Sequence, residues 1–193
     1  MKPIFALISL AILSAPAATA QDDIQKSFED GMRQAFADFK KGDDEAVTAR
    51  LRALLQLMEE KAAAKVGGLL SDTVEGWKGE TPKRENLAAV GGGVSISRTY
   101  VSGEHRITVK IVKDSPLVGQ LLPLLANEEL IRLTNRKTHQ VAGETAIMDG
   151  EHKLQMVVDE RIYVELESDE GTSQSDLVAF ARKLDLAALA KMK

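Results

Sequence analysis

The chain has 193 residues, of which 25 are basic and 29 acidic, and it contains no cysteine. The missing cysteines exclude disulfides, thiol catalysis and the acylated N-terminal cysteine of a bacterial lipoprotein. A net charge of −4 without a strongly basic segment argues against nucleic acid as a partner. The length is sufficient for one stable domain without cross-links.

Residues 1–20 have the pattern of a cleavable secretory signal peptide. Lys2 supplies a positive charge, an apolar run follows over residues 4–13, and small side chains at residues 18–20 suit signal peptidase. The run is too short to span a bilayer, and no later segment approaches the ~18 apolar residues of a transmembrane helix. We therefore expect a soluble, periplasmic or secreted protein that begins at Gln21, without a lipid anchor or transmembrane segment.

Two helical stripes predict an antiparallel helical hairpin over residues 21–68. Apolar residues recur every three or four positions from Ile24 to Phe39, and again from Val47 to Ala62. Gly42 lies between the stripes, where glycine can take the left-handed conformation that ends a helix. No further copy follows, so the hairpin is not part of a repeat array.

Residues 69–93 break the helical pattern with glycines, a proline and charged residues, which predicts a long loop. Trp77, the only tryptophan of the chain, lies in this segment. Its ring is either an anchor that fastens the loop to the core or a platform for a ligand. The anchor is favoured because buried aromatic area dominates packing energetics.

Residues 94–193 change to the period-two alternation of strands. Two strands, a leucine-rich helix over residues 117–133, further strands and a closing helix follow in that order. Pro123 is expected to kink or split the leucine-rich helix. Short turns between neighbouring strands favour a mainly antiparallel sheet with helices packed on one face, so the fold class is α+β. We expect one compact unit that includes residues 21–93.

The second half of the chain resembles the PsbP and Mog1 group of small α+β domains. The likeness rests on three segments, residues 141–146, 154–166 and 175–186. The Gly76-Trp77 pair, the glycine run 91–93 and the strand segment Arg98-Thr99-Tyr100 are also similar to those of uncharacterised exported bacterial proteins. These resemblances bring no catalytic residues and imply an accessory or binding protein rather than an enzyme.

The sequence offers no recognisable catalytic or metal-binding constellation. His105, His139 and His152 lack the spacing of a helical zinc pair, and no Gly-x-Ser-x-Gly elbow is present. The glycine run 91–93 leads into a strand, so it lacks the helix dipole that a phosphate loop uses. We expect no enzymatic activity, no catalytic residue, no metal and no cofactor.

Two features are candidates for a partner or ligand surface, beside Trp77. Arg132, Arg136 and Lys137 form a basic cluster that either meets an acidic partner or lipid headgroup or is a solvated helix end. The leucine-rich helix carries more leucine than one buried stripe needs, including Leu121 and Leu125. This excess indicates either a hydrophobic surface or burial on both faces.

These observations predict a non-catalytic periplasmic binding or accessory protein whose partner is an unknown envelope protein. The first alternative is a carrier of an apolar or lipid-like ligand, held in a cavity between the sheet and the leucine-rich helix. The second alternative is a hydrolase with an unrecognised site, which requires a concave cluster of titratable residues.

Overall fold

The computed structural model describes residues 17–134 and 136–192. Most of the predicted signal peptide, residues 1–16, lies outside the described residues, and residues 17–20 belong to the first helix. Contacts divide the chain into two compact units, one up to Leu57 and one from Met58 onward. The division therefore falls inside the second helix. Within the described ranges, no helix has the length and apolar character needed to cross a membrane.

The first unit contains the predicted pair of helices, α1 (Ala17–Lys41) and the first part of α2 (Asp44–Leu69). Gly42 makes the turn at φ 75°, a conformation that glycine adopts at little cost. Asp43 caps α2, because its carboxylate accepts a hydrogen bond of 3.0 Å from the amide of Ala46.

Close packing and an ion pair join α1 to α2 in this unit. Leu54 covers Gly31, where a side chain would bring a Cβ within 2.6 Å of the leucine. Arg50 donates to the carboxylate of Asp38 at 2.5 Å. That hydrogen bond holds the pKa of Asp38 below its usual value. Ala35 and Leu54 are the buried apolar residues among those described in this unit.

The second unit is built on an antiparallel sheet. Its described strands are β1 (Thr73–Val74), β2 (Trp77–Gly79), β3 (Lys83–Glu85), β4 (Val94–Ser102), β5 (His105–Lys113), β6 (Thr138–Val141), β7 (Glu144–Met148), β8 (Lys153–Val158) and β9 (Ile162–Ser168). The strand order is β1-β2-β4-β5-β9-β8-β7-β6, and β3 pairs with β4 beside β2. The predicted α+β class and antiparallel sheet are confirmed. The first three strands lie in the segment predicted as a loop, so part of that loop belongs to the sheet edge.

Helices cover both faces of the sheet, not one face as predicted. The last turns of α2, α5 (Gln174–Ala181) and α6 (Leu186–Ala190) pack on the first face, and α3 (Pro116–Ala126) and α4 (Glu128–Leu133) pack on the second. Ile111 on β5 belongs to the first core, while its neighbour Val112 belongs to the second. Successive strand residues point to opposite faces, so apolar residues at both positions require cover on both sides.

The leucine-rich segment divides into α3 and α4 at Asn127, four residues after Pro123. Asn127 has an extended backbone, and its side chain accepts hydrogen bonds from the first amides of α4, which makes it an N-cap. Leu124 and Leu133 remain 57% and 71% exposed. The leucine excess is therefore not explained by burial on both faces.

Candidate functional site

Helix α3 lies over one end of the second face of the sheet. Ser115 caps the helix and Pro116 occupies its first position, where no amide hydrogen is needed. Val118 and Leu125 are buried in a small apolar cluster that includes Val112 of β5. This cluster is separate from the larger core on the first face.

A cavity of about 160 Å³ lies between α3 and the second face. Five of its lining side chains are apolar: Leu87, Val112, Leu117, Val118 and Leu121. Apolar cavities of ~150 Å³ are large enough to bind benzene. The space therefore suits a benzene-sized apolar group.

The sheet side of the same cavity carries a polar wall, formed by Lys110, Tyr163 and Glu165. The hydroxyl of Tyr163 donates to a carboxylate oxygen of Glu165 at 2.6 Å. Gln155 donates from Nε2 to the Tyr163 hydroxyl at 2.8 Å and to Glu165 at 3.1 Å. The ammonium of Lys110 lies 2.6 Å from the carboxylate of Glu85.

Strand register brings these residues into one row. Lys110 on β5 is paired with Glu165 on β9, and Glu165 is paired with Gln155 on β8. Tyr163 precedes Glu165 by two residues and therefore points to the same face. The sheet thus assembles the polar wall from strands that are distant in sequence.

The pKa shifts define the protonation states of the wall. Burial raises the pKa of Tyr163, and the neighbouring Glu165 raises it further. Burial alone would raise the pKa of Glu165. Hydrogen bonds from Tyr163 and Gln155, together with the charges of the nearby lysines, outweigh the effect of burial, so the pKa of Glu165 is lowered. The hydrogen bond from Lys110 lowers the pKa of Glu85. At neutral pH the wall therefore contains a neutral phenol beside ionised carboxylates.

At neutral pH these states exclude two reactions, nucleophilic attack by a Tyr163 phenolate and proton donation by a carboxylic acid of the wall. A phenol with a raised pKa is a poor nucleophile at neutral pH, and a carboxylic acid with a lowered pKa has no proton to donate there. The ammonium of Lys110 has three hydrogens, of which the pairing with Glu85 uses one. Lys110 can therefore donate to an acceptor on a ligand.

The predicted site residues are only partly brought together. Leu121 lines the 160 Å³ cavity, and Leu125 lines a second groove of about 490 Å³. Three carboxylates, those of Glu144, Asp159 and Glu160, also line this second groove. Its acidic lining makes it a less suitable place for an apolar ligand.

The three basic residues predicted behind the leucine-rich helix lie at the end of α4 and in the segment that follows it. Arg136 forms an ion pair with Asp149 at 3.5 Å, and Lys137 donates to Gln174 at 3.3 Å. Arg132 is exposed at the end of α4. Arg136 and Lys137 therefore contact different parts of the second unit.

Trp77 lies on the first face, away from the cavity. It is partly buried, and its ring meets that of Phe180 edge-on, with the centroids 5.8 Å apart. Phe180 also contacts Tyr100, at a centroid distance of 5.0 Å. Trp77 therefore has the surroundings of a packing residue.

The segment Arg98-Thr99-Tyr100, noted in the sequence, ties the end of α2 to the sheet. Arg98 is buried and donates to the carbonyl of Leu70 and, at 2.6 Å, to Asp72. The hydroxyl of Tyr100 donates to the carbonyl of Ser71 at 3.0 Å. This motif forms structural contacts in the described chain.

The histidines are dispersed. His105 lies 3.8 Å from Asp169, His152 lies 3.5 Å from Ser168, and His139 is on β6. In residues 17–134 and 136–192, no three histidine or carboxylate side chains converge to hold a metal ion.

The chain has no match among protein-family models, curated proteins or solved structures. The resemblance to the PsbP and Mog1 group therefore stays a prediction from the sequence pattern. The candidate site is defined by its own geometry alone.

Proposed function

We propose that this protein is an exported, non-catalytic binding protein that holds a small amphiphile between α3 and the second face of the sheet. The observation that carries the proposal is the apolar cavity of about 160 Å³ with a polar wall on its sheet side. Binding pockets typically combine such apolar walls with a few polar groups that orient the ligand. The export part of the proposal rests on the signal-peptide pattern of residues 1–20.

The lining specifies where each part of the ligand lies. A benzene-sized group packs against Leu117, Val118 and Leu121, because these side chains form the helix side of the cavity. A carbonyl or hydroxyl oxygen of the ligand accepts a hydrogen bond from Lys110. The hydroxyl of Tyr163 is already directed to Glu165 and contributes shape rather than a free donor.

The charges of the wall favour an uncharged ligand. Lys110 and Lys153 face Glu85 and Glu165, so two positive and two negative groups balance. A carboxylate ligand would approach two ionised glutamates, and an ammonium ligand would compete with two lysines. Desolvating either ion without a dedicated partner costs free energy. An alcohol, ester or amide avoids this cost.

Calorimetric titration with three probes of equal size tests the proposal. We expect benzyl alcohol to bind with a Kd of about 1 mM, typical of a ligand this small. Benzoate and benzylammonium should bind at least about tenfold more weakly, a difference of ~1.4 kcal/mol. Equal binding of all three probes would contradict the polar-wall assignment.

Two tryptophan variants on the same helix locate the binding. Leu121→Trp fills the cavity and should abolish binding of benzyl alcohol. Leu124→Trp alters the exposed side of α3 and should leave binding unchanged, because Leu124 is 57% exposed. Unaltered binding by the Leu121 variant would exclude this cavity as the site.

A further inference from the structure

The helices of the first unit expose large apolar side chains. Phe36 and Phe39 on α1 are 59% and 64% exposed, and Met32 is 46% exposed. On α2, Leu51 and Leu55 are 48% and 60% exposed. Contiguous apolar surface of this kind marks interaction sites in soluble proteins.

These five side chains lie on one side of the helix pair. Met32, Phe36 and Phe39 have offsets of −3, +1 and +4 from the buried Ala35. Leu51 and Leu55 have offsets of −3 and +1 from the buried Leu54. At 100° per residue, these offsets place each stripe roughly 70° around its helix from the buried residue that contacts the other helix. The angle has the same sign on both helices. Because the helices are antiparallel, both stripes then face the same side, here called the hairpin face.

The helix pair has little apolar core of its own. Ala35 and Leu54 are the buried apolar residues described in the first unit, up to Leu57. Helices depend on tertiary packing of an apolar face for most of their stability. A partner that packs on the hairpin face would bury the apolar side chains that the helix pair leaves exposed.

We infer that the hairpin face is the interface between two copies of this chain, which together form a four-helix bundle. Its five apolar side chains expose roughly 500 Å² in each copy. A stable interface buries ~800 Å² on each partner, so flanking polar side chains supply the remaining area. Two-fold dimers bring the same patch of each subunit together, and one apolar face on each helix pair meets this requirement.

Charges along α1 specify the orientation. Glu29 precedes the apolar stripe and Lys40 follows it, and both lie beside the hairpin face. Asp30 and Lys41 point away from this face and form ion pairs with Arg33 and Asp38 of the same chain. A two-fold axis that crosses α1 at right angles near Ala35 brings Glu29 of one copy beside Lys40 of the other. An axis parallel to the helices would not pair these two residues. The charge distribution therefore selects antiparallel packing of α1 against its copy.

The same charges disfavour a membrane as the occupant of this face. Residues 23–57 contain seven acidic residues against six basic ones. Helices that lie on anionic membranes carry an excess of Lys and Arg on their polar face. A second copy of the chain, with both signs of charge, matches the face better.

Sedimentation equilibrium of the purified protein tests the inference. The expected mass is twice that of the single chain. Phe36→Glu should raise the dimer dissociation constant by at least about 100-fold, because it places a charge in the apolar interface. Ala37→Glu is the matched control, since Ala37 is exposed and, as the residue after Phe36, lies about 100° around the helix from it, off the hairpin face. This variant should remain dimeric, and both should keep the helical signal in circular dichroism.

If Phe36→Glu loses helical signal, charge-reversal variants test the dimer interface instead. Glu29→Lys and Lys40→Glu should each weaken the dimer about tenfold, and the double variant should restore it. Three results would overturn the inference: a monomer at about 100 µM, a dimer unaffected by the Phe36 and charge variants, or a monomer that binds phospholipid vesicles through this face. Binding of benzyl alcohol is independent of these variants and reports separately on the proposed function.

Discussion

Glu165 and Tyr163 differ by two positions on β9, and their pKa values move in opposite directions. Burial disfavours the ionised form of both side chains. For Glu165, hydrogen bonds from Tyr163 and Gln155 outweigh burial, whereas Tyr163 has a carboxylate beside its hydroxyl. The ionised Glu165 is thus a stabilising part of the fold as well as of the cavity wall.

Replacement of Glu165 by Gln should destabilise the protein only at pH values where the carboxylate is ionised. Because the folded pKa is lowered, this stabilisation is complete above the unfolded value of about 4.5 and is lost as pH falls through the folded pKa. We expect a loss of ~1–2 kcal/mol at pH 7 and a much smaller loss at pH 3. Urea unfolding at both pH values measures this.

Glu167→Gln is the matched control for that experiment. Glu167 is on the same strand and face but is exposed. Its replacement should change stability by less than ~0.5 kcal/mol at either pH. Equal losses for Glu165→Gln at pH 7 and pH 3 would contradict the ionised-carboxylate account.

Trp77→Ala should destabilise the second unit without affecting ligand binding. Full burial of tryptophan corresponds to ~3–5 kcal/mol on truncation, and Trp77 is only partly buried, so about 2 kcal/mol is expected. Chemical unfolding measures the loss, and a native fluorescence emission that moves to the red on unfolding reports the desolvated ring. An unchanged melting curve together with red native emission would reinstate the ligand-platform interpretation.

For Trp77 the sequence favoured packing because of the size of its ring. For Leu121 it left open a hydrophobic surface or burial on both faces, and a cavity beneath the helix belonged to the alternative of an apolar-ligand carrier. The polar wall was missed because Lys110, Gln155 and Glu165 are far apart in sequence and meet only through strand register. The signal in the sequence was that each of them alternates with apolar residues along its strand, which places it on the opposite face from those residues.

At the scale of elements, the glycine run holds the start of α3 against the sheet. Gly93 has φ 106°, and a Cβ there would lie 2.8 Å from Cβ of Ser115 and 2.9 Å from two carbonyl oxygens. Gly91 would likewise bring a Cβ within 2.8 Å of Pro116. The run therefore serves close packing beside the cavity.

Alanine should have opposite effects at two glycines near this site. Gly93→Ala should cost ~2–4 kcal/mol, because it combines a strained φ with a steric clash. Gly119→Ala should stabilise α3 by ~0.5–1 kcal/mol, since Gly119 is helical with open space around it. Thermal unfolding of both variants measures the difference. A similar melting temperature for the two would show that the run does not fix α3.

Most elements were predictable because their periodicities are clear, whereas their arrangement was not. The helix pair, the antiparallel sheet and the α+β class follow from stripes, alternation and turns. The second helical layer was not predicted, because the alternation of the strands was interpreted as one apolar face, whereas Ile111 lies in the first core and Val112 in the second. The sequence predicted a kink or split at Pro123, whereas the break lies at Asn127, because the Asn127 side chain caps α4.

At the scale of the whole molecule, the export part of the proposal predicts a specific N-terminus. Cleavage after Ala20 should give a protein that begins with Gln21 and is found in the periplasm or medium. N-terminal sequencing of protein from fractionated cells measures this. An intact Met1 on cytosolic protein would remove the export part, while leaving the binding site unaffected.

The most direct test of the central claim is a methyl NMR titration of the protein with benzyl alcohol. Binding beneath α3 should shift the methyl signals of Leu87, Val112, Leu117, Val118 and Leu121, with saturation at the affinity found by calorimetry. Methyl groups in the first core, such as those of Val66 and Leu177, and on the hairpin face, such as those of Leu51 and Leu55, should not move. Shifts confined to the first core or the hairpin face, or no shifts, would contradict a ligand site between α3 and the sheet.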